Sequence, residues 1–251
     1  IGSSICDSLL QKKYTNKCIL LDNFGGYMNP IKDSFIDFRK QRFPSLKNII
    51  IERCDTSNYK ALSSIINKYK PNYIYHTAAL PLAKVSNLNN EEAKISSVDS
   101  TVNIIDAINL LKNSNQKYQF DRFVYFSSSM VYGDFKKSTV TEESEKNPKD
   151  AYGIMKLAGE VVTEGLCRLH NIPYTIIRPS AVYGPKDMNR RVSQIFIENA
   201  FKKKEISIQG KNEKLDFTYI KDLANGSILA ARKKKGLNQI FNITCGKGQT
   251  L

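Results

Sequence analysis

Short apolar runs alternate with amphipathic stretches along almost the whole chain, and this alternation limits the possible folds more than any other feature. Cys18–Leu21, Ile49–Ile51, Tyr73–His76, Phe123–Phe126, Thr175–Ile177 and Gln239–Ile243 read as buried strands. Ser3–Lys13, Ser57–Tyr69, Glu91–Leu111 and Asp150–His170 read as helices between them. A parallel pair of strands needs a long crossover, usually a helix, so this order predicts a parallel sheet with helices on both faces. In such a sheet ligands gather at the carboxyl ends of the strands, near the point where strand order reverses. No low-complexity linker or internal repeat divides the chain.

Composition narrows the class. The 251 residues, 41% of them hydrophobic, suffice for one sizeable core or a core with a small lobe. No apolar run reaches the roughly 18 residues of a membrane span, so no membrane contact is expected. The start, Ile1-Gly2-Ser3-Ser4, has neither an initiator Met nor a signal-like basic region, and the chain is expected to begin inside a domain. Five cysteines stand singly and two histidines lie far apart, which argues against a disulfide framework or a metal site and for a reducing, cytoplasmic setting. The net charge of +14 raises nucleic-acid binding as a possibility. The lysines are spread along the chain, however, and the triplets Lys202-Lys203-Lys204 and Lys233-Lys234-Lys235 fall near predicted helix ends, where cations suit the dipole. No nucleic-acid partner is expected. An anionic small substrate such as a nucleotide diphosphate suits the charge better.

The chemistry concentrates between Arg122 and Glu160. A strand breaks into Ser127-Ser128-Ser129, and a helix follows with Tyr152 and Lys156. Two Tyr-x-x-x-Lys spacings occur, Tyr132/Lys136 and Tyr152/Lys156. The first lies in a Gly-Asp turn, and only the second lies in a helix, where i and i+4 share a face. Tyrosine titrates near pH ~10, so work as a base near neutrality needs a drop of roughly three units, or about 4 kcal/mol. An ammonium about 4 Å away supplies that order of energy at an effective dielectric of ~20. Ser128 would orient a substrate hydroxyl for proton loss.

At the amino end, Gly2 opens a helix and Asp22 closes the next strand about twenty residues later, the relation between the last glycine and the ribose-binding acid of a dinucleotide fingerprint. A carboxylate there repels a 2′-phosphate and favours NAD over NADP. The first strand and earlier glycines would precede residue 1. Asp55 accepts from an adenine amino group, or else Asp55 or Thr56 caps the following helix; the sequence leaves both open. Small residues follow His76, which reads as structural.

With these pieces the chain resembles the extended short-chain dehydrogenase/reductase family, the nucleotide-sugar epimerases and dehydratases. The likeness rests on Ile1-Gly2-Ser3, Leu21-Asp22-Asn23, His76-Thr77-Ala78-Ala79, Ser127 to Gly133, Tyr152 to Lys156, and Gly159-Glu160. Arg178 to Pro185, Asp216 to Asp222 and Phe241-Asn242-Ile243 continue it. The resemblance implies an α/β, Rossmann-type doubly wound parallel sheet lacking its first strand, with a smaller C-terminal lobe. Residues 1–178 are expected to form the NAD-binding part. Residues 179–251 are expected to form a substrate lobe interleaved with the last sheet elements and unfinished at Leu251. It further implies Tyr152 as base, Lys156 as its partner and a ribose ligand, and Ser128 as the hydroxyl. Gly2, Asp22, Asn23, Asp55, Thr56, Ala78, Tyr152, Lys156 and Pro179 fall at NAD-contacting positions, and Ser129, Ser180, Asn189 and Arg191 at substrate positions.

Departures from the pattern bear on the reaction. Sugar 4,6-dehydratases of this family carry Asp-Glu where Ser129 and Met130 stand, and decarboxylating members carry Glu at Met130. Leu215 replaces a phosphate-contacting arginine. Ser97 and Met155 also depart, without a functional reading. The expectation is NAD-dependent epimerisation of a nucleotide-diphosphate sugar at C4. The alternatives are a 4-keto-sugar reductase, a dehydratase or a non-catalytic NAD-binding scaffold. The incomplete cofactor cradle and unfinished lobe lead us to expect that this chain binds NAD weakly or folds poorly. A homodimer through the Glu91–Leu111 and Asp150–His170 helices is what the resemblance suggests.

Overall fold

The computed structural model describes residues 1–24, 48–80, 89–135, 139–185, 192–208 and 214–250. The chain runs through helix α1 (Gly2–Gln11), strands β1 (Cys18–Asp22) and β2 (Ile49–Arg53), helix α2 (Tyr59–Tyr69) and strand β3 (Tyr73–His76). Helix α3 (Asn90–Lys94) passes through a π-helical turn, Ile95–Asp99, into α4 (Ser100–Ser114). Then come β4 (Arg122–Phe126), a 3-10 turn at Ser129–Tyr132, α5 (Ala151–Leu169) and β5 (Tyr174–Pro179). The remainder comprises β6 (Val182–Tyr183), α6 (Val192–Phe201), β7 (Lys214–Asp216), β8 (Thr218–Tyr219), α7 (Ile220–Arg232), β9 (Gln239–Ile243) and β10 (Gly248–Thr250).

Strands β3, β4, β5 and β9 form a parallel sheet in that order. Every residue of β4 and β5 is buried, as strands covered on both faces require. Alternate side chains divide between two layers. Phe123, Tyr125 and Ile176 join Leu62 and Ile66 of α2, Ile104, Ile105 and Ile108 of α4, and Cys167 of α5. Val124, Phe126 and Ile177 join Ile5 of α1 and Leu223, Ala224 and Ile228 of α7. Each such aliphatic side chain contributes about 1.5–3 kcal/mol by leaving water.

The parallel pair β1–β2 stands apart, with no backbone hydrogen bond among the described residues joining it to the larger sheet. Packing joins them instead. Ile5 of α1 faces the larger sheet, while Cys6 and Leu10 meet Cys18, Leu20, Ile49 and Ile51 of the pair. On the other face Leu21 and Cys54 reach the layer of α2 and α4.

The six expected strands and four expected helical regions are all present, with differences at their ends. The helix expected over Glu91–Leu111 is interrupted by the π turn and continues to Ser114. Helix α2 is capped by Asn58, whose Oδ1 accepts from Ala61 N at 3.1 Å, so neither Asp55 nor Thr56 serves as its cap. After Pro179 the elements part. Strands β6 and β8 pair in parallel and β7 and β10 antiparallel, while α7 and β9 return to the main sheet. Both lysine triplets directly follow a helix, α6 or α7. Among the described residues no helix is long and apolar enough to cross a membrane, and no cluster of potential metal ligands occurs.

Candidate active site

The site forms where β4 ends. Ser128 is buried, and its Oγ accepts from Met130 N at 3.2 Å, opening the 3-10 turn. Helix α5 lies hard against this turn. Asp150 caps the helix by accepting from Gly153 N at 2.7 Å, and a Cβ on Gly153 would stand 2.7 Å from the Met130 carbonyl oxygen. A glycine beside Tyr152 weakens the helix by about 1 kcal/mol relative to alanine, yet it is what lets the first turn of α5 approach the turn bearing Ser128.

Lys156 anchors the same helix to the sheet. It is 3% exposed, and Nζ donates to the carbonyl oxygen of Phe126, the last residue of β4, at 2.7 Å. Nζ lies 5.8 Å from the centre of the Tyr152 ring and 5.3 Å from that of Tyr125. Burial pushes the ammonium down to about 8, with the charge of Glu160 pulling the other way. Tyr152 therefore stands beside a buried amine, not a solvated one.

His76 is also buried, 3.2 Å from Ser100 Oγ and with its ring against Phe123 and Tyr125. Burial, and then the charge of Lys156, lower it to about 3, so it is neutral near pH 7, as a structural histidine should be.

A second group of expected residues lies at the ends of β1, β2 and β3. Asp22 is exposed at the end of β1 and its Oδ1 accepts from Phe24 N at 2.8 Å. Asn23 Nδ2 donates to Asp55 Oδ2 at 3.1 Å, tying the ends of β1 and β2 together. Burial opposes ionisation of Asp55, but the amide and hydroxyl of Ser57 and the Asn23 amide outweigh it and hold the carboxyl below its usual range. Thr56 is half-buried beside it. Gly2 begins α1, where a Cβ would meet Thr77 Oγ1 at 2.8 Å, and Ala78 lies exposed just beyond. No acidic residue occupies the first turn of α1, so its positive dipole end suits an anion.

Pro179 ends β5 and is buried; Ser180 follows it, and Ser129 opens the 3-10 turn, both half-buried. Asn189 and Arg191, together with Lys136 of the rejected pair, lie outside the described residues. The structure thus gathers Ser128, Tyr152 and Lys156 around the end of β4. It gathers Gly2, Asp22, Asn23, Asp55, Thr56 and Ala78 around the ends of the first three strands.

Sequence reasoning gave no role to the buried ion pair between Glu160 and Arg178. Arg178 Nε and Nη2 donate to the two Glu160 oxygens at 2.8 and 2.6 Å. The available signal was a carboxylate one helical turn beyond Lys156 and an arginine closing an apolar strand.

The NAD dependent epimerase/dehydratase family matches residues 1–244. A Methanocaldococcus jannaschii protein assigned as a UDP-glucose 4-epimerase is 31% identical over 98% of this chain and 74% of its own length. UDP-glucuronate 4-epimerase 1 of Arabidopsis thaliana is 28% identical over 91% of this chain and 52% of its own. The crystal structure of a Bacillus cereus UDP-glucuronic acid 4-epimerase with UDP-glucuronic acid and NAD superposes with a TM-score of 0.84 at 25% identity, covering 100% of this chain and 76% of that one.

Proposed function

This chain belongs to the NAD dependent epimerase/dehydratase family, and from that premise we propose that it inverts C4 of a nucleotide-diphosphate sugar through a transient 4-keto sugar. The observation that carries the reading is the placing of Tyr152 and buried Lys156 on a helix pressed against the turn of Ser128. NAD, when bound, supplies the hydride acceptor and donor. The residues present fit it. The close approach of Gly2 to Thr77 leaves backbone beside the α1 N-terminus for a pyrophosphate, and Asp22 offers an exposed carboxylate for ribose hydroxyls. Asn23, Asp55, Thr56 and Ala78 would line the adenosine side, and Pro179 the nicotinamide side. Ser128 would hold the sugar hydroxyl, Tyr152 would take its proton, and charged Lys156 would stabilise the phenolate and bind ribose. Ser129 and Ser180, with Asn189 and Arg191, would contact the substrate.

Met130 is 41% exposed where a dehydratase needs an acid, so the site has no group there to move a proton on a sugar carbon. We assign residues 1–178 to the cofactor and 179–251 to the substrate, with α7 and β9 given back to the sheet. We also propose a homodimer, supported by the exposed Ile154, Val161 and Leu169 along α5 and Leu110 on α4.

The test is incubation with UDP-, GDP- and dTDP-hexoses and UDP-hexuronic acids, with only catalytic NAD, followed by NMR of the sugar protons. A C4 epimer is expected, and Tyr152→Phe should slow its formation by about 10²–10⁴-fold. Conversion only with stoichiometric NADH and a 4-keto sugar would make it a reductase. A 4-keto-6-deoxy product would make it a dehydratase. NAD binding without turnover of any sugar would leave a scaffold.

A further inference from the structure

Four residues from stretches singled out in the sequence have no part in this chemistry: Tyr132 of Val131-Tyr132-Gly133, Glu160 of Gly159-Glu160, Arg178, and Asn242 of Phe241-Asn242-Ile243. Side chains from all four meet in one network. Glu160 spends both oxygens on Arg178, and Arg178 Nη1 donates to Tyr132 Oη at 2.8 Å and to the Glu142 carbonyl at 3.0 Å. Tyr132 Oη in turn donates to Asn242 Oδ1 at 2.8 Å, and Asn242 N donates to Glu142 Oε1 at 2.7 Å. The network therefore ties α5 to β5, β9 and the 3-10 turn that begins beside Ser128. Glu160 is 3% and Arg178 1% exposed. A buried ion pair is often no more stable than apolar residues of the same volume, so its presence one helical turn from Lys156 calls for another explanation.

We propose that Glu160 is a positioning residue for the proton-transfer pair: held by Arg178, it locks α5 onto β5 and the 3-10 turn beside Ser128, and supplies the counter-charge that keeps buried Lys156 protonated. The proposal rests on the roles given above to Tyr152 and Lys156. The other titratable groups that face Lys156 are His76 from β3, Tyr125 from β4 and Tyr152 on α5, while Arg178 from β5 faces Glu160. His76 stays neutral because burial and the Lys156 charge hold it down to about 3, and burial holds Tyr125 neutral by raising it well above its ordinary value. Glu160 is then the carboxylate that opposes the desolvation of Lys156.

The experiment titrates the Lys156 amine by NMR in protein carrying isotope-labelled lysine, with the signal assigned through Lys156→Met. The pH profile of turnover is recorded alongside. Glu160→Gln leaves a buried guanidinium without its carboxylate and is expected to melt lower or fail to fold. The paired change Glu160→Met with Arg178→Met removes both charges at similar volume and is expected to stay folded. In the folded variant Lys156 should titrate lower, because Glu160 and not Arg178 is the charge acting on it, and the pH profile should move the same way. Tyr132→Phe breaks a link of the network without removing a charge, and should leave the Lys156 titration where it was. A folded paired variant with unchanged Lys156 titration overturns the proposal. So does an equal shift in Tyr132→Phe, since packing would then set the amine. If no sugar nucleotide turns over, the reading of function fails, while the titration still decides the role of Glu160.

Discussion

A lysine amine buried against a backbone carbonyl costs the fold something whenever it carries its proton. For Lys156 the ordinary value of 10.5 falls to about 8 in the folded chain, through burial that the Glu160 charge only partly offsets. Below pH 8 both folded and unfolded chains hold the proton, and the cost is fully present. Between 8 and 10.5 the unfolded chain still binds the proton and the folded chain has lost it, so stability rises with pH. Denaturant unfolding of the native protein and of Lys156→Met across this range should show the native protein gaining about 3 kcal/mol on the variant. Parallel pH dependences of the two would mean that the amine is not desolvated. The site keeps this cost because the same charge is what Tyr152 needs.

Helix α5 shows how one element carries two kinds of information. Its inward residues Gly153, Lys156, Gly159 and Glu160 are buried and hold the site, while Ile154, Val161 and Leu169 are exposed on its other side. If that face is covered in a dimer, Val161→Glu should shift the protein to monomer by light scattering, with its circular dichroism unchanged. A monomeric native protein would remove the premise. Much of this element was legible in the sequence, because apolar spacing marks the helix and Tyr152/Lys156 marks the site. The strands were legible for a similar reason: residues such as those of β4, covered on both faces, leave unbroken apolar runs. The π turn at Ile95–Asp99 was not, since one extra residue in a turn leaves the apolar pattern almost unaltered. Strands β6, β7, β8 and β10, of two or three residues each, are too short to show a period. Glu160 and Arg178 were assigned no partnership because sequence shows charges and not burial, and 18 positions separate the two.

On the scale of the whole molecule, the proposed cofactor positions are spread along one edge of the fold. Asp22 and Asp55 lie at or just past the ends of β1 and β2, and Ser128 and Pro179 at or just past those of β4 and β5. A dinucleotide reaching from Asp22 to Lys156 would touch all four strand ends. Saturating NAD should therefore slow amide hydrogen exchange at the carboxyl ends of β1, β2, β4 and β5 together. At about 100 times its Kd it should add about 2.7 kcal/mol of stability. Protection confined to β1 and β2 would mean that the dinucleotide does not span the site. The practical consequence concerns purification. A preparation that has shed its dinucleotide would melt lower than a loaded one, so batches compare fairly only at matched NAD.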